Sequence, residues 1–234
     1  MPRNEPAVKR APRPDRQLRR AERRAEMVAA AIDAVRTLGP GVSVAEIAAQ
    51  AGITKPVLYR HFTDRADLQR AVGQEAAARL MARMAPELDP DREPVELIRG
   101  VVDAFLAGIE DEPELWRFVV HHPIERAPGA EVVDDAREQI ARMLTALLGE
   151  RLRGLGLDSG GAEAWAQGLV GMVQSAGDWW LERRTMSRRA LTDYLTTLIW
   201  GGVSGVLGTA SDAPSSLRLI PRVDDERDHG GRRG

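Results

Sequence analysis

The chain of 234 residues contains no cysteine. Disulfides, thiolate metal sites and thiol redox chemistry are excluded on that ground. No apolar run is long enough to cross a bilayer; the best candidate, residues 198–208, is short and dense in glycine. The first basic residues are not followed by the apolar segment that a secretory leader needs, which predicts a cytoplasmic protein. There is no G-x-S-x-G elbow and no glycine-rich phosphate loop, so an enzyme is not expected. His121 and His122 are adjacent, point apart on a helix, and do not chelate one metal together readily. No catalytic residue, metal or cofactor is expected. No segment alternates apolar and polar residues with period two, and there is no internal repeat. The remaining fold class is all-α.

Net charge is only −2, but it divides unevenly along the chain. Residues 1–70 hold 14 Lys+Arg against 8 Asp+Glu; the rest hold 19 against 27. A basic N-terminal part on an acidic body suits a module that docks on phosphate. Residues 1–14 are rich in proline and arginine and predict a disordered basic arm. Leu18, Ala21, Ala25, Val28, Ile32 and Val35 recur at three- and four-residue steps and predict a first amphipathic helix. Its outer face begins with Arg16, Arg19, Arg20, Arg23 and Arg24.

Residues 43–62, SVAEIAAQAGITKPVLYRHF, read as two short helices joined by a glycine turn. Ser43 is placed to cap the first, whose apolar face is Val44, Ile47 and Ala48. Gly52 ends it, because glycine adopts the left-handed conformation without steric penalty. Thr54 is expected to cap the second helix, with Pro56 in its first turn, where a missing N–H costs nothing. That leaves Thr54, Lys55, Pro56, Tyr59, Arg60 and His61 outward, which equips the helix for a DNA major groove.

At these residues the segment 42–68 resembles the DNA-binding signature of the TetR family of transcriptional regulators. The resemblance is carried by Ile47-Ala48, Ala51-Gly52-Ile53-Thr54, Tyr59-Arg60-His61-Phe62 and Leu68. Arg65 and Ala66 depart from the family's usual Lys-Glu, although Arg65 keeps the positive charge. The resemblance implies a sequence-specific repressor released by a small apolar or amphipathic effector, binding palindromic double-stranded DNA as a homodimer. Its expected DNA contacts are Ser43, Thr54, Lys55, Pro56, Tyr59, Arg60, His61 and Arg65. Two alternatives stay open: a DNA-binding regulator without a ligand that acts through a protein partner, and an α-helical enzyme.

The division expected is a basic arm over 1–14, a helix-turn-helix head over 15–64, a helical ligand-binding and dimerisation domain over 65–210, and a disordered tail over 211–234. The helix over 65–85 is expected to be the one physical link between head and body. All five tryptophans follow residue 115. Large apolar walls with a few polar groups suit a ligand pocket. Phe105, Trp116, Phe118, His121, Trp165, Met172 and Trp179 are the candidate lining, with Asp178 as a polar anchor; each aromatic also fits as core filler, and Asp178 as an exposed or salt-bridged carboxylate. The last two helices are apolar round most of their circumference and rich in glycine, which suggests close helix–helix approach. Gly168, Gly171, Leu195, Leu198, Gly201, Gly202 and Gly205 are the candidate dimer interface.

Overall fold

The computed structural model describes residues 14–89, 91–120, 130–154, 156 and 158–212. Among them the chain forms α-helices and no strand. The head contains α1 (Pro14–Leu38), α2 (Val44–Gln50) and α3 (Lys55–Leu58). The body follows with α4 (Arg65–Met84), α5 (Pro94–Asp111), α6 (Pro113–Val120), α7 (Ala130–Gly154), α8 (Ala162–Arg183) and α9 (Arg188–Asp212). Prolines open α5 and α6 at the first helical position, where their fixed φ is already helical. Gly39 and Gly52, both at positive φ, close α1 and α2. Residues 1–13 and 213–234, where the basic arm and most of the polar tail were expected, lie outside the described residues.

Two apolar cores organise the fold. The first joins Ile32 and Val35 of α1, Ile47 of α2, Leu58 and Phe62 of the α3 segment, and Leu68 and Val72 of α4. It also takes in Leu115, Phe118 and Val119 of α6. The expectation that α4 alone links head and body is therefore corrected: α6 packs on both α1 and α4. Arg36 near the end of α1 adds an ion pair to Glu112, the residue between α5 and α6.

The second core gathers Met84, Phe105, Leu106, Ile109, Trp180, Leu181, Leu191, Leu195 and Ile199. It seats α9 along α5 and brings the end of α8 onto α5. Gly177 permits that approach, since a Cβ there would stand 2.8 Å from Ile109 Cδ1 and 2.9 Å from Phe105 Cε1. Arg188 braces the α5–α9 contact through Asp103 at 3.0 Å and Glu110 at 2.9 Å.

One part of α1 is unlike the rest. Residues 16–26 contain no buried side chain, and Leu18 is 60% exposed. The apolar periodicity of Leu18, Ala21 and Ala25 continues the helix there, yet all three are exposed.

Candidate nucleic-acid interface and ligand cavity

The α2–α3 hairpin is built by local sequence rules. Ser43 and Glu46 form a reciprocal capping box, with Ser43 N donating to Glu46 Oε2 at 2.8 Å and Glu46 N donating to Ser43 Oγ at 3.3 Å. The hydroxyl and N–H of Ser43 hold the Glu46 carboxyl below its ordinary range. Thr54 stands at the N-cap of α3, but its side chain makes no capping bond. The α-helical part of α3 is only four residues long, and the chain continues through turns to His61. Leu58 and Phe62 point inward; Thr54, Lys55, Pro56, Tyr59 and Arg60 are exposed. Lys55 Nζ lies 5.9 Å from the Tyr59 ring centroid. Arg65, also exposed, opens α4. The eight residues expected to meet DNA thus fall into two groups, Ser43 at the start of α2 and the others along residues 54–65.

Arg24 fixes this surface from behind. Its Nη1 donates to the His61 carbonyl at 2.6 Å, and Nη2 donates to Asp67 Oδ1 at 2.6 Å. The guanidinium also sits 4.2 Å from the Phe62 ring centroid. Asp67 accepts from Thr63 N at 3.0 Å, and the Arg24 hydrogen bonds hold its carboxyl below the ordinary range. Arg24, expected on the outer basic face, is instead the clamp between α1, the recognition segment and α4. His61 is half-buried, with Nδ1 enclosed and unpartnered among the described residues. The outward groups are hydroxyls, cations and rings, the set that binds phosphates and base edges.

A cavity of about 640 Å³ opens in the body between α4, α5, α7 and α8, within the range of small-molecule sites. Its walls are mainly aliphatic: Leu80 and Met84 from α4, Val101 from α5, Ile140 and Leu144 from α7, Val173 from α8. Phe105 and Trp116 line it as well, packed edge to face with centroids 5.6 Å apart. Gln174 is the uncharged polar side chain in the wall. Of the charged rim, Arg83 pairs with Asp111 at 2.6 Å and Arg79 with Glu75 at 2.8 Å.

The other expected lining residues lie elsewhere. Phe118 is buried in the first core, on the head side of α6. Trp165 covers Gly161, and Met172 packs against the second core. Trp179 is 44% exposed. Asp178 is neither a free carboxylate nor a cavity wall: Trp116 Nε1 donates to its Oδ1 at 2.6 Å. His121 is outside the described residues. The cavity's walls on α4 and α7 are aliphatic, so the aromatic size that marks Phe105 and Trp116 in the sequence does not mark them.

On α8 and α9 a glycine face is open. Gly168, Gly201, Gly202 and Gly205 are exposed and Gly171 half-buried, and a Cβ added at any of them would meet nothing within 4 Å. Tyr194 and Leu198 on the same side of α9 are 66% and 62% exposed. Leu195, expected with them, is only 6% exposed and belongs to the second core, so it is not on this face.

Comparison with known proteins gives these surfaces a context. Residues 28–72 match the model for bacterial regulatory proteins of the tetR family, and residues 81–216 match the tetracyclin repressor-like C-terminal domain. The chain is 38% identical over 189 residues to an HTH-type transcriptional regulator of Mycobacterium tuberculosis, covering 80% of each protein. It is 28% identical over 196 residues to the HTH-type transcriptional activator FasR of Mycolicibacterium smegmatis, covering 83% of this chain and 89% of that one. A TetR-like regulator from Rhodococcus sp. RHA1 superimposes with a TM-score of 0.60 at 26% identity, over 84% of this chain and all of that one. These relatives are regulators rather than enzymes, and no helix among the described residues is long and apolar enough to cross a membrane. The chain belongs to the TetR family of DNA-binding transcriptional regulators.

Proposed function

We infer that the protein represses transcription as a homodimer on a palindromic operator, and that a small apolar or amphipathic effector in the body cavity releases it. The reading rests on one observation. Leu115 and Val119 of α6 belong to the core of the head and also line the cavity. The same two side chains therefore touch the element that holds the recognition segment and the space an effector would fill. A ligand shifts a population only by binding two states with different affinity. Displacing α6 changes the packing of the head, and a pair of heads bound to DNA tolerates little change in spacing. The protein acts in the cytoplasm, where its operator is.

The test uses an operator selected from random duplexes by the full-length protein. Tyr59→Ala should weaken binding to selected and scrambled duplexes alike, whereas a Lys55 substitution should change which duplex is preferred. Phe105→Ala should raise the effector concentration for half-release by about tenfold, with operator affinity nearly unchanged, because it removes about 1.5 kcal/mol or more of buried contact. A panel of apolar and amphipathic compounds that never releases the complex would leave only a regulator without ligand. The FasR relative is an activator, which favours activation as a second reading of the sign. A promoter–reporter fusion distinguishes them: repression requires higher expression when the protein is deleted.

A further inference from the structure

The turns of α1 ahead of Arg24 form an exposed basic helix, and we propose that this segment binds the phosphates of duplex DNA flanking the half-site read by α3. The recognition surface alone does not require this. Residues 16–26 hold five arginines against two glutamates, and none of their side chains is buried. Arg16, Arg20 and Arg23 are spaced i, i+4 and i+7, so they form one stripe along the helix. Arg16 and Arg20 have no partner among the described residues, and Arg23 pairs only with exposed Glu26 at 2.8 Å. A stripe of this charge at high exposure contributes little to folding and has its effect on an anionic surface.

The direction of α1 selects DNA as that surface. Near its C-terminal end, Arg36 is paired to Glu112 of the body. Twelve residues earlier, about 18 Å along the helix, Arg24 grips the His61 carbonyl behind the recognition segment. Arg16 lies roughly 12 Å further along the helix axis from Arg24, on the side opposite to Arg36 and its contact with the body. It is rigidly registered to that segment by the Arg24–Asp67 and Arg24–Phe62 contacts. An anionic membrane is a poorer match, because a surface-lying helix needs a broad apolar face and this one offers only Leu18 and small alanines.

The experiment compares full-length wild type with R16Q/R20Q and R16K/R20K on two duplexes. One carries the selected operator with about one helical turn of flanking sequence on each side; the other ends at the operator. In a dimer the Gln variant removes four charges, so the slope of log affinity against log salt should become shallower by about 3 to 4 on the long duplex. Its affinity there should fall about tenfold or more at physiological salt, with operator-over-scrambled preference kept, because phosphate contacts carry no sequence information. The Lys variant should keep the wild-type slope. Trimming should weaken wild type but not R16Q/R20Q. An unchanged slope overturns the proposal. So does an equal loss on both duplexes, which marks a general charge effect, or a matching loss in the Lys variant, which marks a structural one.

Discussion

Replacing Leu198 by Glu tests the proposed dimer apart from the fold of the protomer. Leu198 is 62% exposed, so in an isolated protomer the change is a surface substitution, within about 0.5 kcal/mol of neutral. In a symmetric dimer through α8 and α9 the same residue is buried twice. Burying a leucine side chain is worth about 1.5–3 kcal/mol, so losing two costs about 3–6 kcal/mol before any penalty for the carboxylates. At about 1.4 kcal/mol per decade, dimer affinity should fall by roughly 10²- to 10⁴-fold. Sedimentation equilibrium should find a monomer at concentrations where wild type is dimeric, and that monomer should stay helical and unfold in a single cooperative transition. Leu195→Glu is the contrast: at 6% exposure inside the second core it should unfold the protomer. A Leu198→Glu protein that sediments with wild type refutes the interface, and one that unfolds refutes the placement of Leu198 on a free face.

Asp67 makes the head sensitive to acid. Its carboxyl is depressed chiefly by Arg24, so its contribution is fully present above the unfolded value of 3.8 and is lost as pH falls through the lower folded value. Urea midpoints of wild type and Asp67→Asn should therefore differ by a constant amount above pH ~5 and converge below it; a gap that widens on acidification would contradict the sign. Gly177→Ala should cost about 1–3 kcal/mol in overpacking against Phe105 and Ile109, offset by about 0.8–1 kcal/mol of helix propensity, for a net loss of roughly 0–2 kcal/mol in urea titration. Because Phe105 is a cavity wall, the same variant should bind effector more weakly, and unaltered effector binding would place the ligand elsewhere.

The helices of this chain were legible because proline and glycine punctuate them. Pro94 and Pro113 open helices where the fixed φ fits, and Gly39 and Gly52 close them at positive φ. The α2–α3 hairpin was legible for a stronger reason, since the capping box, the glycine turn and the buried pair Leu58 and Phe62 all act within twenty residues. What periodicity does not specify is the partner of an apolar face. Leu18, Ala21 and Ala25 keep the helical repeat of α1 and stay exposed, while Val28, Ile32 and Val35 of the same repeat belong to the head's core. On α9, apolar residues run all round, so Leu195 and Leu198, three residues apart, look equivalent in sequence. The packing of α5 on one side decides between them, and that contact is long-range.

The role of α6 was hidden for a related reason. Eight residues span about 12 Å, too short for a hydrophobic pattern to declare two faces. Yet Trp116 faces the cavity and is bonded to Asp178 of α8, Phe118 faces the head, and Leu115 and Val119 serve both. A close-packed interior does not deform smoothly; it moves between discrete arrangements. A ligand that displaces the Trp116 indole must therefore either break its bond to α8 or shift the whole of α6. The first loosens α6 from a helix of the proposed interface, and the second moves Phe118 within the core that positions Arg24 and the recognition segment. In the proposed dimer both routes end at the relative placement of the two heads, which a dimer bound to a palindrome cannot change without cost.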